Sequence, residues 1–79
     1  MQLSNSIRQR ILNLCNIQNI TLHQLSLKAG IAYSTLSSFM NKTKSTTVTT
    51  LLHICEGFEI DLKTFFDSEL FIDVIDEND

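Results

Sequence analysis

In its 79 residues the sequence has no proline, no tryptophan, two glycines and two cysteines. Without proline and with so little glycine, a turn-rich β fold is a poor fit and a helical domain a good one. Two cysteines, Cys15 and Cys55, are too few for a disulfide framework. No apolar run approaches the ~18 residues of a membrane span. Met1–Asn5 carries no basic stretch leading into an apolar core, so no signal peptide is expected. The expected location is therefore the cytoplasm, with both thiols reduced. The most telling absence is of carboxylates: residues 1–55 contain none, against the cations Arg8, Arg10, Lys28, Lys42 and Lys44. From Glu56 onward nine carboxylates face a single lysine, Lys63, which brings the overall charge to −3. Such separation of sign predicts an anion-facing module followed by an acidic end.

What is present reads as one helical domain. Ile7, Ile11, Leu14 and Cys15 recur at helical spacing between polar residues, predicting a first helix over Ser6–Asn16. Thr21 followed by Gln24 is a capping box for a second helix that ends at Gly30, a glycine suited to a left-handed stop. Tyr33–Asn41 reads as a third helix with Leu36, Phe39 and Met40 turned inward. A polar loop, Lys42–Thr47, leads to a fourth helix capped by Thr47, in which Leu51, Leu52, Ile54, Cys55 and Phe58 are expected to supply the core. Asp61 caps a fifth, Leu62–Phe66. By helical phase Leu12, Ile17, Leu22 and Leu27 are expected at the surface. The expected organisation is a domain over residues 1–66 and an acidic-apolar tail over residues 67–79.

Two short helices joined by a glycine turn, the second rich in small polar residues, describe a helix-turn-helix. Leu25, Ala29, Ile31 and Leu36 are expected to fix the angle, with small Ala29 permitting close approach. The outer face of the second helix would then present Tyr33, Ser34, Ser37, Ser38 and Asn41 to a major groove. Hydroxyls can bond to base edges or phosphates, and a tyrosine can cover a thymine methyl. The set contains no Arg or Gln for bidentate base readout, so direct specificity is expected to be modest.

The stretch Thr21–Asn41 resembles the helix-turn-helix of lambda-repressor-like, Cro-type (xenobiotic-response-element) regulators, and Leu51–Phe66 is similar to that family's fourth and fifth helices. The resemblance implies an all-α, five-helix domain that binds double-stranded DNA as a homodimer. Carried over residue by residue, base-reading positions fall on Tyr33, Ser34 and Ser38, with Ser37 beside them. Phosphate-contacting positions fall on Thr21, Leu22, Asn41 and the loop Lys42, Thr43, Lys44. The chain also departs from the family. Leu22 replaces a common Gln and leaves only a backbone amide, and Ala32 lacks a capping hydroxyl. Cys15 and Met40 stand where many members pair Arg with Glu, and Glu59 stands where Gly or Asn usually ends the fourth helix.

No serine has a neighbouring His–Asp pair and no Gly-rich phosphate loop is present, so no catalytic residue is assigned. Cys15, His23, His53 and Cys55 lack metal-ligand spacing; core thiols and surface imidazoles are expected, and no metal or cofactor is assigned. The leading expectation is a sequence-specific transcriptional regulator acting by repression. Two alternatives stay open: an antitoxin whose acidic tail neutralises a basic partner, and a protein-interaction module on a helix-turn-helix scaffold. In the tail, Leu70, Phe71, Ile72, Val74 and Ile75 can pack as an added helix or strand, pair across a dimer, or dock a partner protein. Phe66, Phe71 and Ile75 are the expected dimer contacts, and the last three residues are expected to be disordered.

Overall fold

Five helices account for most of residues 1–75, the part of the chain that this computed structural model describes. They are α1 (Leu3–Gln18), α2 (Leu22–Ala29), α3 (Tyr33–Met40), α4 (Val48–Phe58) and α5 (Leu62–Phe66), followed by one 3-10 turn at Glu69–Phe71. Among the described residues no regular strand forms; one parallel bridge joins Gln2 to Ile75. The all-α architecture of five helices stands as the residue pattern predicts.

Three of the junctions share one construction. α1, α2 and α4 each end on a left-handed residue: Asn19 (φ 55), Gly30 (φ 68) and Glu59 (φ 61). An isoleucine follows each, and its amide returns to a carbonyl of the last turn: Ile20 to Cys15, Ile31 to Ser26, Ile60 to Cys55. Ile20, Ile31 and Ile60 all pack against the core. This is the reversal that satisfies helix-end carbonyls while burying an apolar residue just beyond the stop. The next residue starts the following helix. Thr21 does so with a complete capping box and Asp61 by accepting from the Thr64 amide, whereas Ala32 offers no side-chain bond.

The core gathers Ile11, Leu25, Leu36, Ile54, Phe58 and Phe65, all essentially sealed from solvent. α2 packs chiefly against α4. Ala29 lies close to Gly57 of α4, where an added Cβ would stand 3.0 Å from the Ala29 nitrogen. The small side chain of Ala29 therefore also serves the α2–α4 contact. Cys15 and Cys55 are buried, and Met40 packs against the same core. Burial pushes both thiols above their ordinary pKa, with the Asp61 charge adding to the effect at Cys55.

Some details differ from expectation. α1 runs past both ends of Ser6–Asn16, because the stop is made by Asn19 and its start is tied to Ile75 by the Leu3 amide. α3 closes at Met40, with Asn41 already outside helical geometry. Leu22 is half-buried against the core, not surface-exposed, since the first turn of α2 leans onto it. Leu12, Ile17 and Leu27 are exposed as expected, whereas Leu52, expected in the core, is exposed as well, because the buried face of α4 is filled by Leu51, Ile54, Cys55 and Phe58. The tail folds onto its own domain: Phe71 lies edge-on to Phe66 at 4.7 Å and tilted against Phe65 at 6.0 Å. Residues 76–79, and with them the expectation of a disordered end, lie outside the described residues.

Candidate nucleic-acid interface

The left-handed turn at Gly30 and the apolar anchor Ile31 set α3 across α2, with Leu36 and Phe39 facing inward. What remains outside is a face carrying Tyr33, Ser34 and Asn41 exposed, with Ser37 and Ser38 half-buried at its edge. Asn41 Nδ2 donates to Ser37 Oγ at 3.2 Å, which ties two of these groups to each other. The hydroxyl of Ser37 retains its proton as a donor.

The loop that follows is latched to the same helix. The Ser38 carbonyl accepts from the Thr43 amide (2.9 Å), the Lys44 amide (3.3 Å) and the Thr43 hydroxyl (2.8 Å). Lys42 sits between them with φ 66, the left-handed conformation that closes the turn. Both lysines are exposed. The two ammonium-bearing side chains are thus mounted on one hydrogen-bonded turn at the end of α3, chemistry suited to phosphate contact. At the other end, Thr21 Oγ1 accepts from the Gln24 amide, and Gln24 Oε1 accepts from the Thr21 amide at 2.8 Å. The Leu22 amide then heads the helix, where backbone donors and the helix dipole favour an anion. Its side chain faces the core.

Only three of the five cations in residues 1–55 are fully exposed: Lys28, Lys42 and Lys44. Arg8 and Arg10 are half-buried and serve the fold. Arg8 Nε donates to the Phe39 carbonyl at 2.6 Å, with its guanidinium 4.6 Å from the Phe39 ring centre. Arg10 donates to the carbonyls of Phe65 (2.7 Å) and Thr64 (2.9 Å). Gln18 donates to Phe58 at 2.8 Å. Side chains of α1 therefore close the C-terminal ends of α3, α5 and α4, where positive or donor groups meet the carbonyls of the last helical turn. Charge counting alone assigned those arginines to the anion-facing set.

His23 was also missed as part of this face. Its ring stacks on Tyr33 with centroids 4.1 Å apart and planes 20° from parallel. The signal available in the sequence was its place in the first turn of α2, which a helix-turn-helix brings beside the first turn of α3. His53 lies apart, 3.7 Å from Glu56. Among the described residues no group of three or more His, Cys, Asp or Glu is arranged to hold a metal ion. No described helix is long and apolar enough to cross a membrane.

The family model of the Cro/C1-type HTH DNA-binding domain matches residues 10–69. No curated protein sequence matches the chain. Among solved structures, the wild-type restriction-modification controller protein C.Esp1396I is similar in fold, with a TM-score of 0.79 and 21% sequence identity. The alignment covers 91% of this chain and 90% of that one.

Proposed function

The chain belongs to the Cro/C1-type helix-turn-helix DNA-binding family, and from that premise we propose that this DNA-binding transcriptional regulator is a sequence-specific repressor acting as a homodimer. In this reading Tyr33, Ser34 and Ser38 read bases, with Ser37 beside them. Thr21, the Leu22 amide, Asn41, Lys42, Thr43 and Lys44 hold phosphates. The observation that carries it is the latch at the Ser38 carbonyl, where three hydrogen bonds tie the lysine loop to α3. Preorganised phosphate contacts fix register, and the adjoining hydroxyls then test base edges.

A second copy supplies what one module lacks. With no bidentate base contact, one short helix discriminates weakly, and two half-sites roughly 34 Å apart multiply the discrimination. An apolar groove supports pairing: Leu3, Val48, Phe66 and Ile75 line it, and Val48 is 75% exposed. Phe71, half-buried against Phe65 and Phe66 of its own chain, does not line that groove. A dimer that occupies its site excludes competing proteins by occupancy, so repression needs no further surface.

The test is a mobility-shift titration of the whole chain against its own upstream DNA and a scrambled duplex of equal length. The expected preference lies toward the lower end of the ~10³–10⁷ range of specific over non-specific binding. Equal affinity for both duplexes, or none for either, overturns the reading.

A further inference from the structure

The first turn of α3 is the weakest-supported part of the groove-facing helix. Ala32 contributes no side-chain hydrogen bond to its free amides, and Tyr33, its first residue, is 41% exposed. A phenol on an uncapped, solvated turn samples several rotamers, and fixing one on binding DNA costs affinity. The neighbouring turn is the opposite. α2 begins with a complete capping box, and the Ser26 hydroxyl donates to the His23 carbonyl at 2.6 Å. From that fixed turn the His23 ring lies flat against Tyr33, 4.1 Å between centroids. It is the one aromatic partner Tyr33 has among the described residues.

We infer that His23 is a positioning residue for DNA recognition: its imidazole stacks on the Tyr33 phenol and holds it in the orientation that meets the groove. This rests on the reading of Tyr33–Asn41 as the groove-facing helix. It also gives the side chain after Leu22 a task that Leu22, turned to the core, does not perform.

The chain's composition supplies the probe. Tyr33 is the sole tyrosine and there is no tryptophan, so tyrosine emission reports this one ring. The experiment compares the full chain with His23→Gln, His23→Phe, Tyr33→Ala and the double variant Tyr33→Ala with His23→Gln. Emission anisotropy is read without DNA, and affinity is read for the upstream and scrambled duplexes. His23→Gln is expected to lower the Tyr33 anisotropy and to weaken binding to the upstream duplex about two- to tenfold, the range of an aromatic pair. His23→Phe, which keeps a flat ring, is expected to restore both. In the Tyr33→Ala background His23→Gln is expected to cost nothing further. A loss that persists there marks general damage to the fold and overturns the inference. So does unchanged anisotropy, or equal impairment of the Gln and Phe variants. If the wild-type chain does not prefer its upstream duplex, the groove reading itself fails and this inference falls with it. If the wild-type chain prefers it and His23→Gln binds as well, only the inference fails.

Discussion

The carbonyl of Phe39 accepts a 2.6 Å hydrogen bond from Arg8 Nε, and the same guanidinium faces the Phe39 ring 4.6 Å from its centre. One side chain of α1 thus grips both the backbone end and the buried side chain of α3. Arg8 is itself steadied by Asn5, whose Oδ1 accepts from Nη1 at 2.9 Å. The cation lies at the negative end of the α3 dipole, where it is favoured electrostatically as well as by the hydrogen bond. Because the lysine loop hangs from Ser38, one residue before Phe39, α1 indirectly steadies that loop too.

Arg8→Ala is expected to destabilise the fold by about 1–3 kcal/mol, the range for a charge-assisted hydrogen bond plus a cation–π contact. Arg8→Lys should recover less than half, because an ammonium cannot stack flat and bond sideways at once. Urea denaturation of the three proteins checks this; equal midpoints for Lys and Arg would refute the stacking argument.

The two glycines perform different tasks, and substitution separates them. Gly30 has φ 68 with nothing within 4 Å of an added Cβ, so Gly30→Ala meets only backbone strain, about 1–2 kcal/mol. Gly57 is helical, but its Cβ would stand 3.0–3.1 Å from the backbone and Cβ of Ala29. There the ~1 kcal/mol gain in helix propensity is set against overpacking of ~1–3 kcal/mol on a backbone that cannot turn aside. Gly57→Ala is expected to destabilise and Gly57→Val to do so severely. Glu59→Gly should do the reverse, relieving left-handed strain at φ 61 for a gain of about 0.5–1 kcal/mol. Thermal melts of the set give the ordering.

Of three equivalent helix stops, Gly30 is the plainest in the sequence, because glycine enters the left-handed region without steric cost, asparagine less readily and glutamate rarely. Asn19 and Glu59 adopt the same conformation because Ile20 and Ile60 are drawn into the core. That pull is tertiary, and at Glu59 it leaves no local mark. The caps at Thr21, Thr47 and Asp61 were legible, since a short oxygen side chain three residues before a receptive amide is a local arrangement. The exposed face of α3 was legible for the same reason. Arg8, Arg10, Gln18 and His23 were not: each acts on another helix, and sequence spacing does not say which helix ends meet.

Asp61 offers a pH test of its cap. Hydrogen bonds from the Thr64 side chain, and then from its backbone amide, hold the Asp61 carboxyl below its ordinary value of 3.8. The folded carboxyl thus ionises more readily than the unfolded one. Its contribution is complete above the unfolded value and is lost as pH falls through the folded one. An NMR titration of the Asp61 carboxyl carbon should find a midpoint below 3.8, moved upward in Thr64→Ala; a midpoint at or above the ordinary value contradicts the cap.

On DNA, base and phosphate contacts should part company. Ser34→Ala or Ser38→Ala is expected to cost ~0.5–1.5 kcal/mol on the cognate duplex, the range of one neutral hydrogen bond, and nothing on a scrambled one. Lys42→Ala with Lys44→Ala should weaken both duplexes alike and flatten the salt dependence by about one unit of slope per lysine. Anisotropy titrations at several salt concentrations distinguish the two patterns. The assignment fails if both classes of variant reduce binding equally on both duplexes.

The apolar groove carries the last prediction. Val48 opens α4 at 75% exposure and Ile75 is 53% exposed, and both line the groove with Leu3 and Phe66. Neither Val48 nor Ile75 belongs to the sealed core, so a charge at either position leaves the fold intact. An ammonium set into an apolar interface must shed water without a partner, which costs several kcal/mol and splits a modest dimer. Val48→Lys and Ile75→Lys should therefore give monomers by light scattering, with the wild-type melting profile at low concentration. Both should lose cognate affinity far more than affinity for random DNA, because pairing supplies the discrimination. Removing residues 73–79 deletes Ile75 along with four carboxylates, and it separates two roles of the tail. Through the groove, truncation weakens dimerisation and DNA binding together. Through electrostatic competition with phosphate, it tightens binding at low salt and leaves the dimer unchanged. The position of Ile75 in the groove favours the first outcome. A salt-dependent gain in affinity from an undiminished dimer would overturn it.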